Sequence, residues 1–267
     1  MGRLARTRRA LSYYLPSALA LLALLGLWHA LVVGLQIKAF ILPTPGAALA
    51  ALAEARFDWP GNLAATLVAV AGSFVAAAAL GIALAVAVVW DPRVERTLLP
   101  LLILFNTLPK IALAPLFLLW LGYGILPNIV IGVTVAFFPM VVNTAVGLRA
   151  VDPDLLALTQ AMRASRWQVL RKIRFPSALP YIFAGLKLNA SMSVVGAIVG
   201  EFVASERGLG AVIMAAGVTL DTAAIFAALL VISALGLVIY GLVVVAERLA
   251  MPWENRAAPP EPLGAGG

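Results

Sequence analysis

The chain has 267 residues, 63% of them hydrophobic and 12% charged, with a mean hydropathy of +1.03 and a net charge of +7. That much apolar surface exceeds what a globular core of this size can bury, which excludes a soluble globular protein. Cysteine is absent and histidine occurs once, so there is no disulfide framework, no thiolate zinc site and no cysteine nucleophile.

A bilayer core roughly 30 Å thick takes about 20 apolar residues of helix, because no backbone polar group can be left unpaired in lipid. Six runs reach that length: Leu15–Leu35, Leu63–Val89, Leu98–Leu121, Ile125–Val146, Tyr181–Val203 and Ala223–Ala246. They are continuous, without the short alternating segments of a membrane β-barrel. The predicted fold is all-α integral membrane, with six transmembrane helices in one domain over residues 15–250. A basic terminus, 1–14, precedes it, and a Pro/Gly/Ala-rich tail, 251–267, too poor in apolar residues to fold, follows.

Arg3, Arg6, Arg8 and Arg9 ahead of the first run resemble the basic region of a signal peptide. The run is longer than such a peptide's apolar core and no convincing cleavage site follows, so an uncleaved first span is expected. His29, beside Trp28 in that span, reads as an interface or packing residue. Leu42-Pro43-Thr44-Pro45-Gly46 then breaks the chain before an Ala/Leu-rich stretch ending near Phe57, predicted to be an interfacial helix.

Lys and Arg sort the loops by side. With the N-terminus cytoplasmic, fourteen fall inside and only Lys38, Arg56 and Arg207 outside, so both termini are expected to be cytoplasmic. The positive charge is thus topological, and no soluble domain offers a basic nucleic-acid surface.

Polar groups within spans are expensive and are therefore candidates for a solute pathway. Lys110 falls in the third run between Pro109 and Pro115, which break the helix ladder. A cation there could attract an anionic or carbonyl-rich solute, or snorkel, or pair with Glu201. Glu201, near the outer end of the fifth run, could line the path or anchor the outer loop through Arg207. Asn106, Asn143, Asn189, Ser191 and Ser193 either line the path or hydrogen-bond between helices. Lys187 reads as a snorkelling residue, and Gly208 and Gly210 as shaping an outer re-entrant turn.

Residues 149–180 form a basic, amphipathic segment too short to cross the membrane. Asp152 suits an N-cap, Pro153 the first helical position, and Asp154 the positive helix end, which predicts a helix to about Met162. Ser165 with Gln168 fits a capping box for a second helix that should stop before Pro176. The apolar residues Leu155, Leu156, Leu158, Met162, Trp167, Leu170 and Ile173 suit a segment resting on other helix ends, one inserting into a groove on another protein, or an amphipathic linker.

The run from Asp154 to Pro180 resembles the cytoplasmic coupling loop of binding-protein-dependent ABC importer permeases. That loop has the pattern Glu-Ala-Ala, three residues, Gly, nine residues, Ile-x-Leu-Pro. At matching spacing stand Ala157-Leu158-Thr159, Arg163, Ile173, Phe175 and Pro176, so the acidic residue and the glycine are both replaced. Gly200-Glu201-Phe202, Gly208-Leu209-Gly210, Ile111 to Leu116 and Phe138-Pro139 are similar to the nitrate/sulfonate/taurine branch, and Asn106 to Lys110 to its pyrimidine thiamine-precursor and riboflavin permeases.

This resemblance implies a bacterial inner-membrane permease, paired with itself or a related chain. Its partners would be two ATPase subunits, which bind ATP and Mg, and an external solute-binding protein. It also implies that Asp154, Leu155, Leu158, Thr159, Ala161, Met162, Arg163, Ala164 and Ser165 couple to the ATPase. The chain itself contains no GxxxxGK[ST] loop and no clustered catalytic or metal-binding set, so it is expected to be neither an ATPase nor another enzyme. A stand-alone carrier or channel, or a non-transporting scaffold, is the alternative.

Overall fold

Proline, glycine and aspartate set where the helices begin and end. The computed structural model describes the backbone of residues 2–253 and the side chains of residues 15–253 other than 17 and 204. The side chains of Arg3, Arg6, Arg8 and Arg9, and the tail from residue 254 with Arg256, lie outside the described residues.

Helix α1 (Gly2–Gly34) is followed by α2 (Pro45–Ala51), where Thr44 Oγ1 accepts from the Ala47 N–H at 3.2 Å. After a 3₁₀ turn at Ala55–Phe57, Asp58 caps α3 (Trp59–Trp90). Asp91 is extended because a proline follows, which ends α3, and its carboxylate then caps α4 (Pro92–Thr107) by accepting from the Arg93 N–H at 2.7 Å.

The third predicted span is not one helix. Leu108 is forced into an extended conformation ahead of Pro109, and the chain resumes as a 3₁₀ turn, Lys110–Leu113, and α5 (Ala114–Leu121). The two halves are bent by 84°. Gly122 and Gly124, at φ +75 and +136, lead into α6 (Ile125–Arg149).

Two short helices, α7 (Pro153–Ala161) and α8 (Arg166–Val169), follow, then a π turn at Leu170–Arg174, α9 (Phe175–Ala204), α10 (Leu209–Val218) and α11 (Thr222–Ala250). The expected stop before Pro176 does not occur, because Arg166–Val203 runs as one helix. In the π turn the Phe175 N–H reaches back five residues to the Leu170 carbonyl, which widens the helix just where the proline ring needs room.

Among the described residues, four helices are long and apolar enough to span a membrane, and the bent α4–α5 pair makes a fifth candidate. The first run contributes a shorter apolar helix, Ala18–Gly34, so the structure supports several spans without fixing the expected six.

The centre of the fold is α3, α6 and α9. Lipid gives helices no hydrophobic reason to associate, so close packing and hydrogen bonds between helices must hold them. A Cβ on Gly196 would lie 2.5 Å from the Gly132 Cα, and one on Gly200 would lie 2.6 Å from the Asn128 Cα, so α6 and α9 meet backbone to backbone. On the α3 side, Ser73 Oγ is 2.7 Å from the Ala69 carbonyl and 3.2 Å from the Ile129 carbonyl, and it sits where a Cβ on Gly132 would fall.

Around this centre, α11 packs on α9, and α2 is seated against α11 with Ala48 and Ala51 buried. Trp59 Nε1–H fixes α2 further by donating to the Ala51 carbonyl at 3.1 Å. Helix α1 is peripheral and stacks Trp28 on Phe226 of α11 at 5.3 Å, while Leu21, Leu22 and Leu24 stay exposed as a lipid-facing surface requires.

Gly196→Val forces backbone apart where no side chain can yield. It is expected to cost roughly 1–3 kcal/mol and lower the unfolding midpoint in detergent by several degrees. Gly241→Ala, where nothing lies within 4 Å, is expected to leave the midpoint unchanged or raise it slightly.

Candidate functional site

The segment between α6 and α9 is built from local capping signals. Asp152 Oδ1 accepts from the Asp154 N–H at 2.8 Å and starts α7 with Pro153 at its first position. The helix ends in a Schellman motif: the Ala164 N–H donates to the Thr159 carbonyl at 3.0 Å and the Arg163 N–H to the Gln160 carbonyl at 2.9 Å. Such a motif needs a left-handed residue, and Arg163 supplies it at φ +53. This is the position at which the resembled loop has glycine. Ser165 and Gln168 then form the expected capping box, at 3.2 and 2.8 Å.

The two faces of α7 differ. Leu155, Leu158 and Met162 are 40, 56 and 73% exposed and form an apolar ridge, joined by the exposed Trp167. Asp154, Ala161, Arg163 and Ser165 are also exposed, whereas Thr159 is buried and Ala164 half-buried. The inner face, with Leu156, Thr159 and Ala164, closes a cavity of about 420 Å³ against Val89, Trp90 and Pro92 at the α3–α4 junction.

Contacts with the body hold this segment in place. Leu170 packs with Leu148, Ala178 and Ile182, and Arg174 Nη1 approaches the Leu148 carbonyl at 3.5 Å. Arg149, the last residue of α6, pairs with Glu95 of α4 at 2.8 Å.

The polar residues of the spans fall in separate places. At the α4–α5 break, Lys110 Nζ donates to Asn106 Oδ1 at 2.7 Å, so Lys110 has a partner other than Glu201. Asn143 Nδ2 donates within its own helix to the Pro139 carbonyl at 2.8 Å. Asn189 acts between helices, because its Nδ2 donates to the Phe74 carbonyl of α3 at 2.9 Å, while Ser193 Oγ donates to Asn189 Oδ1 at 3.0 Å one turn along the same helix and orients that amide. Ser191 is exposed.

Glu201 is 1% exposed and pairs with neither Lys110 nor Arg207. Its Oε2 accepts from the Gly210 N–H at 2.7 Å, while Asn62 Oδ1 and Thr66 Oγ1 of α3 accept from the Gly208 and Leu209 N–H groups at 2.7 and 2.8 Å. The first turn of α10 is thereby pinned to α3 and α9. Gly208 is required there by its φ of +123 and by the Glu201 carboxylate filling the space a side chain would need.

Sequence reasoning missed Asn62 and Thr66. Their one signal is an i, i+4 spacing that places both on the same face of α3. Lys187 reaches the last turn of α11, where its Nζ lies 2.8 and 2.6 Å from the two Glu247 oxygens and ties α9 to α11. Among the described residues no group of three or more His, Cys, Asp or Glu could hold a metal.

A family model described as "Binding-protein-dependent transport system inner membrane component" matches residues 77–250. The chain is 35% identical over 237 residues to the riboflavin transport system permease protein RibX of Chloroflexus aurantiacus, covering 88% of each. It is 34% identical to the formylaminopyrimidine transport permease protein ThiX of Halalkalibacterium halodurans, covering 73% of this chain and 78% of that one. To the putative aliphatic sulfonates transport permease protein SsuC of Bacillus subtilis it is 30% identical, covering 82% and 80%. Among solved structures, a chain of the MetNI methionine ABC transporter in an inward-facing conformation superposes with a TM-score of 0.59 at 21% identity, covering 73% of this chain and 96% of that one.

Arg163 in a left-handed turn costs roughly 1 kcal/mol that glycine does not. Arg163→Gly is therefore expected to raise the unfolding midpoint by roughly 2–4 °C, and Arg163→Ala to give no such gain. Thermal unfolding of the two variants in detergent reads the difference.

Proposed function

We propose, since this chain belongs to the family of binding-protein-dependent transport system inner membrane components and is the membrane permease subunit of an ABC importer, that α7 and α8 receive the work of a separate ATPase and pass it to a solute pathway through the spans. The observation that carries this reading is the ridge of Leu155, Leu158 and Met162, exposed on a segment whose opposite face is anchored to the body. A ridge at i, i+3 and i+7 suits insertion into an apolar groove of a partner, with Asp154, Ala161, Arg163 and Ser165 at its margin. Thr159 and Ala164 support it from within.

The assembly has two copies of this chain, or this chain and a related permease, with two ATPase subunits that hold ATP and Mg and an external solute-binding protein. The Lys and Arg distribution supports cytoplasmic placement of both termini and of residues 149–180 in a bacterial inner membrane, with residues 15–250 as one membrane domain. ATP is hydrolysed on the partner.

Lys110 and Asn106 at the α4–α5 break are the pathway residues, because the break frees polar groups inside a span where only a cavity tolerates them. Asn143 is a second-rank candidate, while Asn189 and Glu201 serve to join helices and Ser193 orients Asn189 from within α9. The solute is a small organic molecule with electron-rich or anionic groups for the Lys110 cation. Relatives named for riboflavin and formylaminopyrimidine favour a nitrogen heterocycle, and those named for aliphatic sulfonates, taurine and nitrate an anion.

The absence of cysteine allows one to be placed at Ala161 and the chain to be co-expressed with its ATPase. A crosslink whose yield changes on adding ATP and Mg is expected. Adding Leu158→Asp at the centre of the ridge is expected to weaken ATPase association tenfold or more, as the loss of a roughly 2 kcal/mol interface anchor does. Labelling of Ala161→Cys from the cytoplasm without a crosslink to any ATPase would refute the docking.

A further inference from the structure

The cavity of about 420 Å³ behind α7 and α8 has a chemistry that ATPase docking does not use. Arg166 and Arg174 line it, and among the described residues neither has an acidic partner within 4 Å. Val89 of α3, Leu156 of α7 and Leu170 of the π turn give it an apolar wall, and Thr159 and Gln160 of α7 add two polar groups. Two guanidinium groups without acidic partners beside an apolar wall suit an amphiphilic anion better than a fully hydrated one.

The level of the cavity in the fold points the same way. Trp90, the last residue of α3, lines it, and Trp167 of α8 stands 6.3 Å from Trp90. The Trp90 indole is exposed, and exposed tryptophan at the end of an apolar span marks the height of lipid headgroups. Basic pockets between spans on the cytoplasmic side bind acidic headgroups.

We propose that this cavity binds the headgroup of an anionic phospholipid, with the phosphate held by Arg166 and Arg174 and the glycerol region against the apolar wall. The volume lies within the roughly 300–1,000 Å³ of small-ligand sites, enough for a headgroup and glycerol but not for two acyl chains, which remain in the bilayer. Seated there, the lipid props the inner face of α7 and holds the exposed ridge at a fixed height. The inference rests on the cytoplasmic placement proposed above, but not on the identity of the solute.

The test uses the full chain purified in detergent with equal phosphatidylglycerol and phosphatidylcholine, with retained lipid measured by native mass spectrometry. The ratio of the two lipids is read within each sample, so it does not depend on the yield of folded protein. Phosphatidylglycerol is expected to be retained in preference. Arg166→Gln and Arg174→Gln are each expected to lower that preference about fivefold, and Arg171→Gln, which lies outside the cavity, to leave it unchanged. Equal retention of the two lipids, or an equal loss in the Arg171 variant, would overturn the proposal. Displacement of the lipid by an equal concentration of soluble sn-glycerol 3-phosphate would also overturn it, showing a site for small anions instead. Leu158→Asp separates this inference from the docking reading: it is expected to release the ATPase and keep the lipid preference. A chain that docks the ATPase without preferring phosphatidylglycerol refutes the lipid alone, and the reverse refutes the docking alone.

Discussion

The contact between α6 and α9 at Gly132, Gly196 and Gly200 is the constraint on which the rest of the structure depends. With backbone against backbone there is no side chain to reorient, so the two helices can separate or stay together but cannot slide with a repacked interface. Ser73 and Asn189 add hydrogen bonds from α3 to α6 and from α9 to α3, and the three helices become one body. The Lys187–Glu247 pair extends that body to α11. Breaking a half-buried ion pair leaves one charge without its partner, so this link also specifies which helix faces which.

Both ends of the α7–α8 segment, proposed to dock the ATPase, are attached to that body. Helix α7 follows α6 after three residues, and α8 continues through the π turn into α9. The helix Arg166–Val203, 38 residues and about 57 Å at ~1.5 Å per residue, joins the capping box of α8 to the region of Glu201, where α10 is pinned. A force applied at the Leu155–Met162 ridge therefore reaches the far end of the spans along one covalent element. The π turn at Leu170–Arg174, with Pro176 and Pro180 beyond it, is the place where that element has fewest regular backbone bonds and can flex.

What was legible in the sequence was short-range. Asp152-Pro153-Asp154 and Ser165 with Gln168 are caps whose partners lie within three residues, and both formed as the local chemistry requires. The resembled loop has glycine where Arg163 stands, and the left-handed turn with its Schellman hydrogen bonds gives the physical reason. What was not legible depends on residues far apart. Asn62 and Thr66 meet Gly208 and Leu209 across more than 140 positions, and Glu247 meets Lys187 across 60. Such pairings follow from the packing of α3, α9 and α11, which no local pattern specifies. Proline interrupts the helix at Pro109 but not at Pro176, where a preceding π turn leaves room for the ring, nor at Pro100, Pro139 and Pro180, which lie inside their helices.

In the proposed coupling a solute crosses the membrane through this chain only when work is delivered to α7 and α8. Its most direct test is uptake into proteoliposomes containing the chain and its ATPase, with the external binding protein added outside and radiolabelled riboflavin, a formylaminopyrimidine and taurine offered in turn. Accumulation of one of these solutes is expected, requiring ATP and Mg on the ATPase side and the binding protein on the other, and lost with Leu158→Asp. Solute entry through the chain alone, without ATPase or ATP, would contradict it and make the protein a carrier or channel.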